Sequence, residues 1–148
     1  AKKVVDTFVQ GEFHDLERVL MFQGMEGYDD VRPGYTKVAE WDAAGGDGDA
    51  GSDGASFDDF EIETAEYGMD LEEEDLAVDD VAAESAEITE AVLAGDRDGP
   101  FADAVVVNAA LRIYARGDAN SIEAGIDAAH AAIDDGSAFD VLEALRDF

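Results

Sequence analysis

No cysteine occurs anywhere in the 148 residues, which excludes disulfides, thiolate chemistry and cysteine-type zinc sites. Basic charge is almost as scarce. Nine Lys and Arg face 38 Asp and Glu, a formal net charge of −29, and no run of the chain is basic. Nucleic-acid binding is driven by Lys and Arg neutralising phosphates, so no nucleic-acid partner is expected. No apolar stretch approaches the ~18–20 residues of a membrane span, and no signal-peptide pattern opens the chain. A cytoplasmic setting without a membrane partner is the expectation. Histidine is limited to His14 and His130. Neither lies in an H-x-x-x-H pattern or near a convincing nucleophile, so triad hydrolysis and zinc catalysis recede.

What the chain does have is 47% apolar residues in recurring periodic patterns, enough for one domain with a core and against disorder throughout. The acidic excess repels itself at low salt. It implies adaptation to concentrated salt, where screening shortens the reach of like charges and hydrated carboxylates maintain solubility. The opening "AKKVVDTF" lacks a methionine and begins inside an apparent helix, Val4, Val5, Phe8 and Val9 lying at helical spacing. The chain is accordingly read as a piece of something longer.

Three strands are expected. "RVLMFQG" (Arg18 to Gly24) is a continuous apolar run bounded by charge and glycine, read as a buried strand. "YTKVAEW" (Tyr35 to Trp41) alternates after the turn signal Pro33-Gly34, and "FDDFEIET" (Phe57 to Thr64) places Phe60 and Ile62 on one face with acids on the other. Between the second and third lies a flexible hairpin loop, residues 43–56, made only of Ala, Gly, Asp and Ser. Helices follow: one from about Glu84 closed by Gly95, one over Phe101 to Arg116, one capped by Asn120 or Ser121, and one opened by Ser137. Three short strands followed by four helices make the class α/β or α+β.

Within the loop, "GDGDAG" (Gly46 to Gly51) matches G-x-G-x-x-G but lacks the following helix, and its aspartates would repel a pyrophosphate. As a calcium loop counted from Asp47, it has Ser52 where glycine belongs and Asp58 where glutamate belongs; a weak surface cation site is the most it suggests. Adjacent acidic pairs number seven, against about ten expected by chance at this composition, so no pair is informative by itself. Asp29-Asp30, in "GMEGYDD", is distinguished by position: it follows a strand and a glycine-flanked turn, where α/β proteins place ligand groups. Two hard oxygen donors there suit Mg²⁺, which binds through one or two carboxylates plus substrate phosphates.

The segment "RVLMFQGMEGYDDVRPGYTKVAEW" resembles the part of the anthranilate phosphoribosyltransferase family in which a strand leads through a glycine-flanked turn to an acidic pair. In order, "ETAEYGM", "ESAEITEAVLAGDRDGP", "DAVVVNAALRIYARG" and "SIEAGIDAAHAAIDDGSAFDVLEAL" resemble the segments that follow in that family. The resemblance runs from about Arg18 to the end. It implies the C-terminal part of the nucleoside phosphorylase/phosphoribosyltransferase α/β domain, spanning residues 1–148, with the N-terminal helical domain and phosphate loop absent. It implies transfer of phosphoribose from phosphoribosyl pyrophosphate to anthranilate in tryptophan biosynthesis, with Asp29 and Asp30 matching the pair that binds Mg²⁺ on the pyrophosphate. Asn108 and Asp103 match positions read as structural.

Three departures from the family pattern stand out. The second acid is Asp where the family has Glu, and "QGMEG" replaces His-Gly-x-Asp-Gly, closer to a paralogous branch. The family's Gly-Thr-Gly-Gly-Asp loop and anthranilate-contacting positions belong to its first half; "AGGDGD" at Ala44 to Asp49 sits on the wrong side of the acidic pair to replace that loop. The chain alone is therefore expected to be inactive and to work with a missing N-terminal half. A homodimer is left open, and the alternative is a non-catalytic paralog acting as a binding or regulatory module.

Overall fold

A computed structural model of the chain describes residues 16–24, 27–45, 49–50 and 55–148, together with Lys3, Val4 and Thr7. Those three are helical, while the rest of the expected N-terminal helix, His14 and Asp47 lie outside the described residues. Strands β1 (Arg18–Gly24), β2 (Tyr35–Asp42), β3 (Asp49–Ala50) and β4 (Ser56–Glu63) form an antiparallel sheet in the order β1-β2-β4-β3. Helices α1 (Val81–Leu93), α2 (Pro100–Ala115), α3 (Ile122–Asp134) and α4 (Ser137–Arg146) follow, after two 3-10 turns at Thr64–Tyr67 and Glu73–Leu76.

The register explains the core. Phe22, Val38 and Phe60 stand side by side across β1, β2 and β4, and Thr36 stands beside Ile62; side chains alternate faces along a strand, so this set shares one face. Val38 and Ile62 from that face meet Val106, Val107 and Leu111 of α2 in the buried cluster, with Leu20, Phe22 and Phe60 packed against it. Of the four acids of β4, Asp59, Glu61 and Glu63 point the other way, Asp58 falls on the same side as Phe60, and all four are exposed.

Four expectations are adjusted. The first strand is half-buried along most of its length instead of buried, because it is an edge of the sheet among the described residues. The loop of residues 43–56 is not wholly irregular: Asp49–Ala50 pairs with Ser56 and Phe57, which extends the hairpin. The strand expected to reach Thr64 stops at Glu63, where a 3-10 turn takes over. Helix α1 starts at Val81, three residues before the expected Glu84, because Asp80 caps it by accepting from the Ala83 amide while Glu84 accepts from the Asp80 amide at 2.7 Å.

Other termini follow their local chemistry. Pro100 occupies the first turn of α2, where its missing N–H costs nothing. The Ser121 hydroxyl, and not Asn120, caps α3 by accepting from the Ala124 amide at 3.2 Å. The end of α2 is tied to the sheet through Arg18, whose guanidinium donates to the Tyr114 carbonyl at 2.8 Å and to Asp42 at 2.9 Å. Glu40 takes an ion pair from the same guanidinium at 2.9 Å and a hydrogen bond from the Tyr114 hydroxyl at 2.8 Å. Burial, and then the Glu40 contact, push the Tyr114 phenol up to about 12, and the hydrogen bond from Arg18 holds the Asp42 carboxyl below its ordinary value.

Candidate metal and ligand site

The acidic pair sits on a turn that glycine makes possible. At the end of β1 the Gly24 amide donates to the Tyr28 carbonyl at 2.8 Å, folding the chain back on itself. A Cβ at Gly24 would stand 3.1 Å from the Asp30 carbonyl oxygen and 3.4 Å from that of Tyr28. Gly27 adopts φ 87, a conformation that L side chains resist. Beyond the turn the chain alternates. Asp29 is exposed and Asp30 half-exposed, while Val31 is sealed into the core at 2% exposure.

Asn108 of α2 holds this loop in place. Its Oδ1 accepts from the Val31 amide at 3.0 Å, and its Nδ2 donates to the Val31 carbonyl at 2.9 Å and to the Ala104 carbonyl at 2.9 Å. One side chain thus satisfies both backbone polar groups of a buried residue. Substituting Asn108 by Leu keeps the volume and removes all three bonds, leaving the Val31 amide and carbonyl unpaired. We expect a loss of about 2–4 kcal/mol, read as a lower urea midpoint at unchanged slope.

Beside the pair, Arg32 Nε lies 3.2 Å from Asp30 Oδ1 and its guanidinium stacks 3.6 Å from the Tyr28 ring centroid. Asp30 therefore carries its own counter-ion. Asp103, expected to be structural, lies in the first turn of α2, where burial raises its carboxyl above the ordinary value against the opposing influence of His130. His130 itself is exposed on α3.

No group of three or more His, Asp or Glu able to hold a metal is found among the described residues, so a closed protein cage is not on offer. Asp29 and Asp30 are two hard oxygen donors open to solvent, a set that fits Mg²⁺ shared with a ligand's phosphates and water better than a permanently chelated ion. Asp58 and Asp59 make a different kind of pair: both are exposed on β4, and the Asp58 carboxylate accepts from the Asp59 amide. At the weak cation-loop candidate, Asp49 has its backbone committed to the ladder with β4.

Sequence reasoning did not anticipate the cleft that opens between the Asp30–Arg32 loop, α1 and α2, with a volume of about 410 Å³. Its polar wall includes Asn108 and Arg112. A signal was present in "NAALR", where four-residue spacing sets those two on one helix face.

The family model described as "Glycosyl transferase family, a/b domain" matches residues 3–139. The chain belongs to that glycosyl transferase family. Among its relatives, the anthranilate phosphoribosyltransferase of Rubrobacter xylanophilus is 33% identical over 128 residues, 86% of this chain and 34% of that protein. The corresponding enzyme of Legionella pneumophila is 30% identical over 131 residues, 88% of this chain and 35% of that protein. The crystal structure of anthranilate phosphoribosyltransferase from Thermus thermophilus superposes with a TM-score of 0.64 at 27% identity, covering 85% of this chain and 34% of that one. A serine-to-alanine variant of the Saccharomyces cerevisiae anthranilate phosphoribosyltransferase with Mg bound gives 0.65 at 26% identity over the same shares. This glycosyl transferase family member spans about one third of the length of the relatives it matches. Its strands and helices have the α/β arrangement of these neighbours, and no helix among the described residues is long and apolar enough to cross a membrane.

Proposed function

We propose that this chain is the C-terminal part of a cytoplasmic phosphoribosyltransferase that moves phosphoribose from phosphoribosyl pyrophosphate to anthranilate, and that Asp29 and Asp30 are its Mg²⁺ ligands. The observation that carries the reading is the placement of this pair: two solvent-open carboxylates at a strand end, on a loop pinned to α2 by Asn108. The relatives and solved neighbours named above, one of them with Mg bound, support it. Mg²⁺ on this pair would neutralise charge building on the departing pyrophosphate as the ribosyl C1 becomes cation-like. The chain's own contribution is positional. Asn108 keeps Val31 seated in the core so that the preceding carboxylates face outward, and Arg32 limits the rotation of Asp30 through their ion pair. The missing N-terminal part of the protein would supply the remaining substrate contacts, and the chain alone would be inactive.

A non-catalytic relative serving as a binding or regulatory module is the second reading, favoured by the Arg32 guanidinium that already neutralises Asp30. Joining the chain to its N-terminal half and assaying anthranilate with phosphoribosyl pyrophosphate separates the two. With the complex folded, absence of turnover removes the enzyme reading. In the active complex, Asp29→Asn and Asp30→Asn should each lower Mg²⁺-dependent turnover by on the order of 100-fold, whereas Asp58→Asn and Asp59→Asn should leave it unchanged. Equal losses from both pairs would mean that bulk acidity, and no ligand geometry, is what matters.

A further inference from the structure

We propose that the cleft between the Asp30–Arg32 loop, α1 and α2 binds a small organic oxyanion, a carboxylate or phosphate carried on an apolar body, through Arg32 and Arg112. The charge of its lining is the first argument. Asp30, Arg32 and Arg112 are its ionisable residues, one acid against two bases, for a net of +1 in a chain whose net charge is −29. Three other cavities are lined oppositely: one by Glu63, Asp70 and Glu72, one by Glu17, Asp42 and Arg18, one by Glu87, Glu90 and Asp96. The cleft thus has the opposite sign to these three, and its low-dielectric walls strengthen its field.

The second argument is what the arginines do. With about four acids per base, a guanidinium readily finds a carboxylate, and Arg18, Arg32, Arg116 and Arg146 each have one. Arg112 does not, among the described residues. It donates Nη1 to the Asn108 carbonyl at 2.7 Å, a bond that orients the side chain along its own helix and leaves further N–H donors of the planar fork for a ligand. Arg97 likewise has no carboxylate among the described residues and stacks 4.6 Å from the ring centroid of Phe101, which lines the cleft. Arg32 is held by the Tyr28 ring as well as by Asp30, so Asp30 is neutralised where it would repel an anion.

The walls then set the chemical class. Leu76, Ile88, Phe101 and Val105 are apolar, and Ser85 and Thr89 add hydroxyls. Thr89 donates its proton to the Ser85 carbonyl at 2.7 Å. A volume of about 410 Å³ is in the range of small-molecule sites and admits a ring-sized apolar group with its charged end toward the arginines. Arg32 and Arg112 offer these contacts whether or not Asp29 and Asp30 hold a metal.

The test is an amide chemical-shift titration of the 148-residue chain at constant ionic strength with EDTA, using sodium benzoate, phenyl phosphate and inorganic phosphate as probes. The expected result is saturable shifts around Arg32, Thr89 and Arg112 with at least one of the two organic probes, benzoate alone indicating a carboxylate ligand and phenyl phosphate alone a phosphate ligand. Arg112→Gln and Arg32→Gln should each weaken binding about tenfold, while Arg116→Gln, on the same helix end outside the cleft, should not change it. Absence of saturable shifts in the folded chain, inorganic phosphate binding as tightly as both organic probes, or an equal loss in Arg116→Gln would overturn the proposal. An Asp29→Asn variant that loses Mg²⁺ but keeps probe binding separates this site from the metal reading, as does a wild-type chain that binds probe without Mg²⁺.

Discussion

Gly125→Ala is expected to lower the thermal unfolding midpoint by about 10 °C, corresponding to roughly 3 kcal/mol. Gly125 lies inside α3, where helix propensity alone makes the exchange favourable by about 1 kcal/mol. The tertiary structure reverses that sign. A Cβ built on Gly125 would stand 2.6 Å from the Ala110 carbonyl oxygen and 3.1 Å from the Ala110 carbonyl carbon and Cα. Every one of these neighbours is backbone, so no rotamer change relieves the overlap. Ala110 is fully buried on α2 next to Leu111, and relief would require α2 and α3 to separate, opening space in a close-packed interior. Gly136→Ala is the control: φ there is 81 and a Cβ would meet nothing within 4 Å, so it should lose only the left-handed penalty of about 1–2 kcal/mol. A midpoint for Gly125→Ala at or above the wild-type value, by circular dichroism in the same buffer, would show that the two helices do not approach this closely.

Raising KCl from 0.1 M to 2 M is expected to increase the unfolding midpoint by about 10 °C or more. Two like charges 10 Å apart in water repel by about 0.4 kcal/mol. An excess of 29 negative charges on 148 residues makes many such pairs, and their sum is comparable to the whole stability of an ordinary domain, about 5–15 kcal/mol. The screening length falls from about 10 Å at 0.1 M to about 3 Å at 1 M salt, which removes most of that repulsion. Local opposition is limited: the surface ion pairs Lys37–Glu61 and Arg116–Asp118 are exposed, and pairs of that kind contribute at most about 1 kcal/mol each. Sodium perchlorate at matched ionic strength distinguishes simple screening from the preferential exclusion of a kosmotropic salt such as potassium phosphate. A midpoint independent of KCl would remove the salt-adaptation reading.

The elements were legible in the sequence where the governing forces are local. Alternation in "YTKVAEW" gave β2, glycine and proline punctuation gave most helix ends, and hydroxyls at the right offset gave a cap at the start of α3. The loop of residues 43–56 was legible as a connection but not its two-residue strand, since Asp49 and Ala50 lack strand character and pair only because β4 offers an edge. The start of α1 was misplaced because Asp80 and Glu84 act as a reciprocal cap, and in so acidic a stretch that signal is indistinguishable from background.

For the candidate site the division is sharper. The pair Asp29-Asp30 stood out by its place after a strand and by the ordered family resemblance. Its support was only partly legible: the resemblance marked Asn108 as a structural position, but Asn108 lies 77 positions beyond Val31, and nothing local shows that it clamps that distant loop. For Arg112 the spacing in "NAALR" gave only a shared helix face with Asn108; its lack of a carboxylate partner among the described residues is a property of neighbours that only folding assembles.

By itself, then, the sequence determined that cysteine chemistry is excluded, the order of the three longer strands and the four helices, the acidic excess and the strand-end position of the carboxylate pair. These depend on composition and on interactions spanning a few residues. Tertiary structure alone decided that Gly125 must be glycine, that Asn108 seats the acidic loop, and that Arg32 and Arg112 of a strongly negative chain line one cleft. Each of those follows from contacts between residues far apart in the chain, whose distances are set by how the sheet and helices pack.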